Sequence, residues 1–170
     1  AGIGMNAMNS FTMKCLTELG YDYIMPSPEL TGVQLASIAE HSALADRMLI
    51  GIHGRTPLMQ LLHCPIKEHK GCQNCMGIAG AVTDEAGRVF PLVNIRYPDN
   101  CLVRMLNCRT TDLIDLFDKI PQTAGYVLNF VGEQIDEVTE RIAAANEAMN
   151  GKRQTQYPNS TRGHWVRKVE

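Results

Sequence analysis

Short apolar runs alternate with helix-patterned stretches near both ends of this chain, and a long cysteine-bearing segment between them follows neither pattern. The alternation limits the fold strongly, because neighbouring parallel strands need a crossover connection, usually a helix. Ile3 to Met8 is small and apolar, like a strand buried on both faces. Asn9 or Ser10 then caps a helix from Phe11 to Leu19, with Cys15 on its inner side and Gly20 as its stop. Tyr21 to Met25 reads as a second strand. Pro26 to Leu30 turns into a helix capped by Thr31, with Leu35, Ile38 and Ala39 inward, and Met48 to Ile52 is a third buried strand. Beyond the interruption, Thr110-Thr111-Asp112 opens a helix to about Lys119, and Tyr126 to Val131 is a fourth strand. Gly132 to Asn150 is an amphipathic helix with Ile135, Val138, Ile142 and Ala145 inward, ended by Gly151.

The expected fold class is therefore α/β, with partial TIM-barrel-like β/α units in one domain spanning residues 1–170 and a cysteine-rich hairpin insert at residues 53–107. Four such units are half of an eight-stranded barrel, which needs about 250 residues. The chain starts without methionine in what reads as a strand, so we expect a fragment of a longer protein. An unclosed sheet edge invites pairing with another chain, which makes a homodimer through that edge an expectation.

The insert holds four of the six cysteines. Its hairpin pairs Gly80 to Thr83 with Arg88 to Val93 across a turn at Asp84-Glu85-Ala86-Gly87. Cys72 and Cys75 form a C-x-x-C knuckle whose spacing lets two thiolates reach one ion, and Cys64 precedes a proline. With Cys101, four soft donors suit zinc or a four-iron four-sulfur cluster. Cys108, or His63 and His69 for zinc, are alternative ligands. A redox-active C-x-x-C fits poorly, because that chemistry wants the pair at a helix N-terminus after a strand.

Composition narrows the remaining possibilities. Charged residues make up 20% of the 170 and the net charge is −2, so no global field draws the chain to nucleic acid or acidic membrane. No apolar run approaches the roughly 20 residues of a membrane helix, and no secretory signal opens the chain. Six cysteines without such a signal suit the cytoplasm. The nine methionines read as core filling.

In barrel-like units, function gathers where strands end at their C-termini. Those positions make Asn6, Asn9, Ser27, Glu29, His53 and Arg55 the candidate substrate-binding residues. Arg55 has the fork geometry to clamp a phosphate or carboxylate, and Glu29 is a candidate base. As alternatives, Asn9 and Ser27 cap helices and Arg55 makes a surface ion pair. The tail carries Lys152, Arg153, Arg162, His164, Arg167 and Lys168 around Tyr157 and Trp165. It reads either as a single-stranded RNA contact or as a solvated terminus that packs one tryptophan.

The ordered runs GMNAMNS, SPELT, HGRTPLM, HCPIKEHKGCQNC, TDEAGRVFPL and YPDNCLVRMLN, closed by TRGHWVRKVE, resemble peptidase family U32, the collagenase-like proteases. The closing run is similar to the C-terminal end of long bacterial members. The resemblance implies a TIM-barrel-like parent whose N-terminal half is absent here, and a peptidase activity on peptide substrate. It equally implies, from other members, iron–sulfur proteins for RNA or quinone hydroxylation. The chain departs from the better-known branch, which carries Gly-Ala-x-Cys where Arg55-Thr56-Pro57-Leu58 stands here. No H-E-x-x-H is present and no serine or cysteine lies in a recognisable nucleophile context. A non-catalytic RNA-binding module stapled by metal is a further expectation for the insert.

Overall fold

The computed structural model describes residues 1–72, 75–97 and 101–166. Gln73 and Asn74 of the knuckle, residues 98–100 of the YPDN run, and Arg167 and Lys168 of the basic tail lie outside the described residues.

Helix α1 (Ser10–Glu18) starts where Asn9 Oδ1 accepts the Thr12 amide at 2.9 Å, supplying a partner for an otherwise orphaned first-turn donor. It buries Met13 and Leu16, and the chain reverses at Gly20, whose φ of 93° suits a residue without a Cβ. Helix α2 (Gly32–His41) begins with a reciprocal capping box between Thr31 and Gln34. Its Leu35 enters the core, with Ile38 and Ala39 packed against it.

Strand β1 (Leu49–Gly54) is central to a three-stranded sheet in the order β6-β1-β7, where β6 is Thr111–Asp112 and β7 is Gly125–Asn129. β1 and β7 are parallel, with Leu49 opposite Gly125 and Gly54 opposite Asn129, whereas β6 runs antiparallel to β1. Isolated parallel bridges add Ile24 to Met48 and Ala7 to Pro26. Four extended segments thus neighbour one another in chain order, in a mixed α/β fold with two sheets. Among the described residues the sheets form no closed barrel.

Several expectations need correction. Ile3 to Met8 is a 3-10 turn over Ile3–Met5, followed by Asn6 at φ 47° and the single bridge at Ala7. Gly4 and Asn6 are weak strand formers, and a left-handed Asn6 cannot extend a ladder. Tyr21 to Met25 is likewise held by a bridge rather than a full strand. The helix expected from Thr110 is the short strand β6 followed by a 3-10 segment, Ile114–Lys119. Cys15 is exposed, not inward. Of the methionines, Met13 and Met48 are fully buried, whereas Met5, Met59, Met76 and Met149 are exposed.

Helix α4 (Ile135–Met149) has its capping box at Gln134 and Glu137 and reverses at Gly151, φ 81°. Its buried face is Arg141, Ala144, Ala145 and Ala148. Ile135 and Ile142, expected inward, are 75% and 45% exposed. The small residues lie three and four apart, so they share one stripe and let the helix approach the sheet closely.

Beyond the end of β1 at Gly54, the 53–107 insert forms a second, four-stranded sheet that contains the expected hairpin. Its order is β2-β5-β4-β3, from β2 (Pro57–Leu61), β3 (Gly77–Thr83), β4 (Val89–Arg96) and β5 (Cys101–Leu106), with every neighbouring pair antiparallel. Thr83 faces Val89 across the Asp84–Gly87 turn. Asp84 Oδ1 accepts the Ala86 and Arg88 amides, and the Arg88 amide together with its guanidinium holds the Asp84 carboxyl below its ordinary pKa. A short helix α3 (Pro65–Lys70) follows β2.

The tail returns to the body. Thr161 bridges Thr111, and the Gly32 amide donates to Trp165 O at 3.0 Å. Trp165 packs against the core, and a Cβ on Gly32 would stand 2.6 Å from its ring. Among the described residues no helix is long and apolar enough to cross a membrane. Because Trp165 is the only tryptophan, Gly32→Ala is expected to push the indole outward, shift its fluorescence to longer wavelength and cost about 1–3 kcal/mol. Unchanged emission and melting temperature would contradict this packing.

Candidate functional site

A polar cluster lies in the interior where β1, β6 and α4 meet. Asp112 is fully buried and His53 is 4% exposed. Asp112 Oδ2 accepts the His53 Nδ1 hydrogen at 2.7 Å, and its Oδ1 accepts the Ile114 amide at 3.3 Å. Arg141 Nη1 stands 3.9 Å from Oδ2, and its guanidinium lies 4.5 Å over the Tyr157 ring. The Phe130 and Tyr157 rings flank the imidazole at 5.1 and 5.7 Å. Burial pushes the Tyr157 phenol above its ordinary pKa and Glu137 adds to this, with Arg141 opposing.

A carboxylate only accepts, so the His53–Asp112 bond puts a hydrogen on Nδ1, and in the neutral ring the lone pair is then on Nε2. That nitrogen is buried and has no hydrogen-bond partner among the described residues. An imidazole held in one tautomer by a buried carboxylate, with its other nitrogen unspent, can take a proton or accept a hydrogen bond from a group that reaches it.

His53 was expected at a strand end and stands there. Its partners Asp112 and Arg141 escape sequence reasoning, Asp112 because it reads as a helix cap. Arg141 does leave a signal: it shares the three-and-four spacing of Ala144, Ala145 and Ala148. The other strand-end candidates do not gather with it. Asn9 caps α1, Asn6 and Glu29 are exposed, and Ser27 is buried with its hydroxyl facing the Glu29 amide at 3.4 Å. Arg55 is half-buried and donates through Nη1 to the Asn107 and Cys108 carbonyls at 2.9 and 2.7 Å, in place of the surface ion pair. In the tail, Arg162 forms a two-pronged pair with Asp115 and donates to the Asp112 carbonyl at 2.8 Å, so it is not free for RNA.

Cys64, Cys75 and Cys101 adjoin strand termini at one end of the four-stranded sheet. β2 ends there at Leu61, three residues before Cys64; β3 starts there, two residues after Cys75; β5 starts there with Cys101 opposite Arg96, the last residue of β4. Cys64 Sγ accepts the Lys67 amide at 3.4 Å, and Cys75 Sγ accepts from Asn94 Nδ2 at 3.1 Å. Among the described residues no three His, Cys, Asp or Glu side chains are grouped tightly enough to hold a metal ion. Cys108 follows the opposite end of β5, about 17 Å away along a six-residue strand, which removes it as a substitute for Cys101. His63 is engaged by Glu68 at 2.8 Å.

The chain matches no protein-family model, no curated protein and no solved structure. Removing the carboxylate in Asp112→Ala strands two buried cationic or polar partners at once, and a loss of about 3–5 kcal/mol is expected in urea denaturation. A loss below about 1 kcal/mol, the scale of an ordinary surface pair, would contradict a buried, satisfied cluster.

Proposed function

We propose that this chain is the C-terminal part of a collagenase-like, U32-family protein with a barrel-like parent, and that Cys64, Cys72, Cys75 and Cys101 hold one four-iron four-sulfur cluster or zinc ion. What supports the metal reading is that Cys64, Cys75 and Cys101, from three stretches of chain, adjoin strand termini at one end of the four-stranded sheet, with Cys72 beside Cys75 in the C-x-x-C knuckle. The donor set fits in kind, because thiolates favour zinc and iron–sulfur centres. When bound, the group ties the strand ends together, and a cluster adds one-electron redox capacity.

The activity proposed from the family's name is peptide hydrolysis, with His53 as the base-type group oriented by Asp112. A second reading is iron–sulfur-dependent modification of RNA, and the peptidase reading lacks the serine, threonine or cysteine that nucleophile-dependent peptidases place against such a nitrogen, since among the described residues none bonds to His53 Nε2. Metal-held thiolates are poor attacking groups, so the four cysteines do not fill that role.

Iron, sulfide and zinc analysis of anaerobically prepared protein tests the metal reading. Four iron and four sulfide per chain, or one zinc, are expected. The metal should be lost with several kcal/mol of stability in Cys72→Ser, Cys75→Ser and Cys101→Ser and retained in Cys15→Ser. Metal-free protein, or Cys72→Ser with unchanged metal content, would overturn the assignment. Gelatin digestion by the longer parent, abolished by His53→Ala, supports the peptidase reading, and none by pure parent turns the choice to RNA.

A further inference from the structure

At the end of the four-stranded sheet opposite the cysteines lies a cleft of about 480 Å³, the size of a small-molecule site. Arg55, Arg88, Arg109, Glu133, Glu137 and Tyr157 are among the residues that line it. Arg88 is paired with Asp84 at 2.7 Å. Glu133 accepts the Val131 amide and Glu137 the Gln134 amide, which orients both carboxylates at the start of α4 without neutralising them. Among the described residues, neither Arg55 nor Arg109 has a carboxylate within ion-pair distance.

Arg55 differs from a surface arginine in being both half-buried and oriented. Two backbone carbonyls grip its Nη1, which fixes the plane of the guanidinium while Nε and Nη2 make no hydrogen bond among the described residues. Retaining an unneutralised cation at partial burial is unfavourable unless an anion completes it. A planar fork held in advance loses little freedom on binding an oxyanion through two parallel N–H bonds.

We propose that this cleft binds a small molecule through an oxyanion, a phosphate ester or a carboxylate, with Arg55 as the oriented clamp and Arg109 as the second cation. The proposal stands apart from the metal reading, since it uses the other end of the sheet and none of the four cysteines.

Calorimetric titration of the whole chain with pyrophosphate and with citrate, at low ionic strength, tests it. One or both are expected to bind, with tighter pyrophosphate assigning a phosphate ester and tighter citrate a carboxylate. Arg55→Gln and Arg109→Gln should each weaken binding about tenfold or more, the scale of a lost charge-assisted hydrogen bond. Arg55→Lys should recover only part of the affinity, because it keeps the charge without the fork. Arg109 is exposed and its side chain forms no ion pair, so Arg109→Gln remains a valid test if Arg55→Gln fails to fold. Arg153→Gln, in a different groove, should bind as the unaltered chain does. Absence of binding by either anion overturns the proposal, as does equal binding by Arg109→Gln or equal weakening by Arg153→Gln.

Discussion

A carboxylate with no access to water must be surrounded by donors, and Asp112 is where this chain meets that requirement. Its side chain takes hydrogens from His53 on β1 and from the Ile114 amide, with Arg141 of α4 close behind. Its backbone completes the set: the amide donates to Thr161 and the carbonyl receives Arg162. One residue therefore binds strand, helix and returning tail to the same point. The short β6, the 3-10 segment after it and the inward turn of Arg141 all follow from keeping this charge satisfied. The unspent Nε2 of His53 is a product of the same arrangement.

The four-stranded sheet places two different chemistries at its two ends. Cys64, Cys75 and Cys101 adjoin the strand termini where β2 and β4 end and β3 and β5 begin. Guanidinium groups collect at the other end, before β2, before β4 and after β5. Antiparallel pairing sets this polarity, because each reversal returns the chain to one end or the other. Cys101 and Cys108 lie only seven positions apart in sequence and yet fall on opposite ends, which no spacing rule reveals.

Local signals read well from the sequence. Asn9, Gly20, Thr31 and Gly151 mark helix boundaries through hydrogen-bond and φ requirements that act within a few residues. Met48 to Ile52 is apolar enough to identify as a buried strand and Tyr126 to Val131 as a strand, seen as β7 with half-buried residues, and the Asp84–Gly87 turn carries its own chemistry. What escaped reading depends on distant partners. Ile135 and Ile142 look inward on a helical wheel, but the stripe that packs is set by the small residues and Arg141 that the sheet can accept. Asp112 looks like a helix cap because nothing nearby announces its pairing with His53, 59 positions earlier. Within the 53–107 insert the hairpin of Gly80 to Thr83 with Arg88 to Val93 is legible from its turn, whereas β2 and β5, which complete the sheet, are short strands without a strong period of two and show only through their mutual pairing.

The tautomer of His53 tests the organisation around Asp112 most directly. Long-range proton–nitrogen NMR correlation resolves the ring nitrogens of the five histidines, with His53 assigned by its loss in His53→Gln. The hydrogen is expected on Nδ1, shifted far downfield by the Asp112 bond and moved markedly in Asp112→Asn. A hydrogen on Nε2 with a bare Nδ1, unaffected by that substitution, would contradict the account.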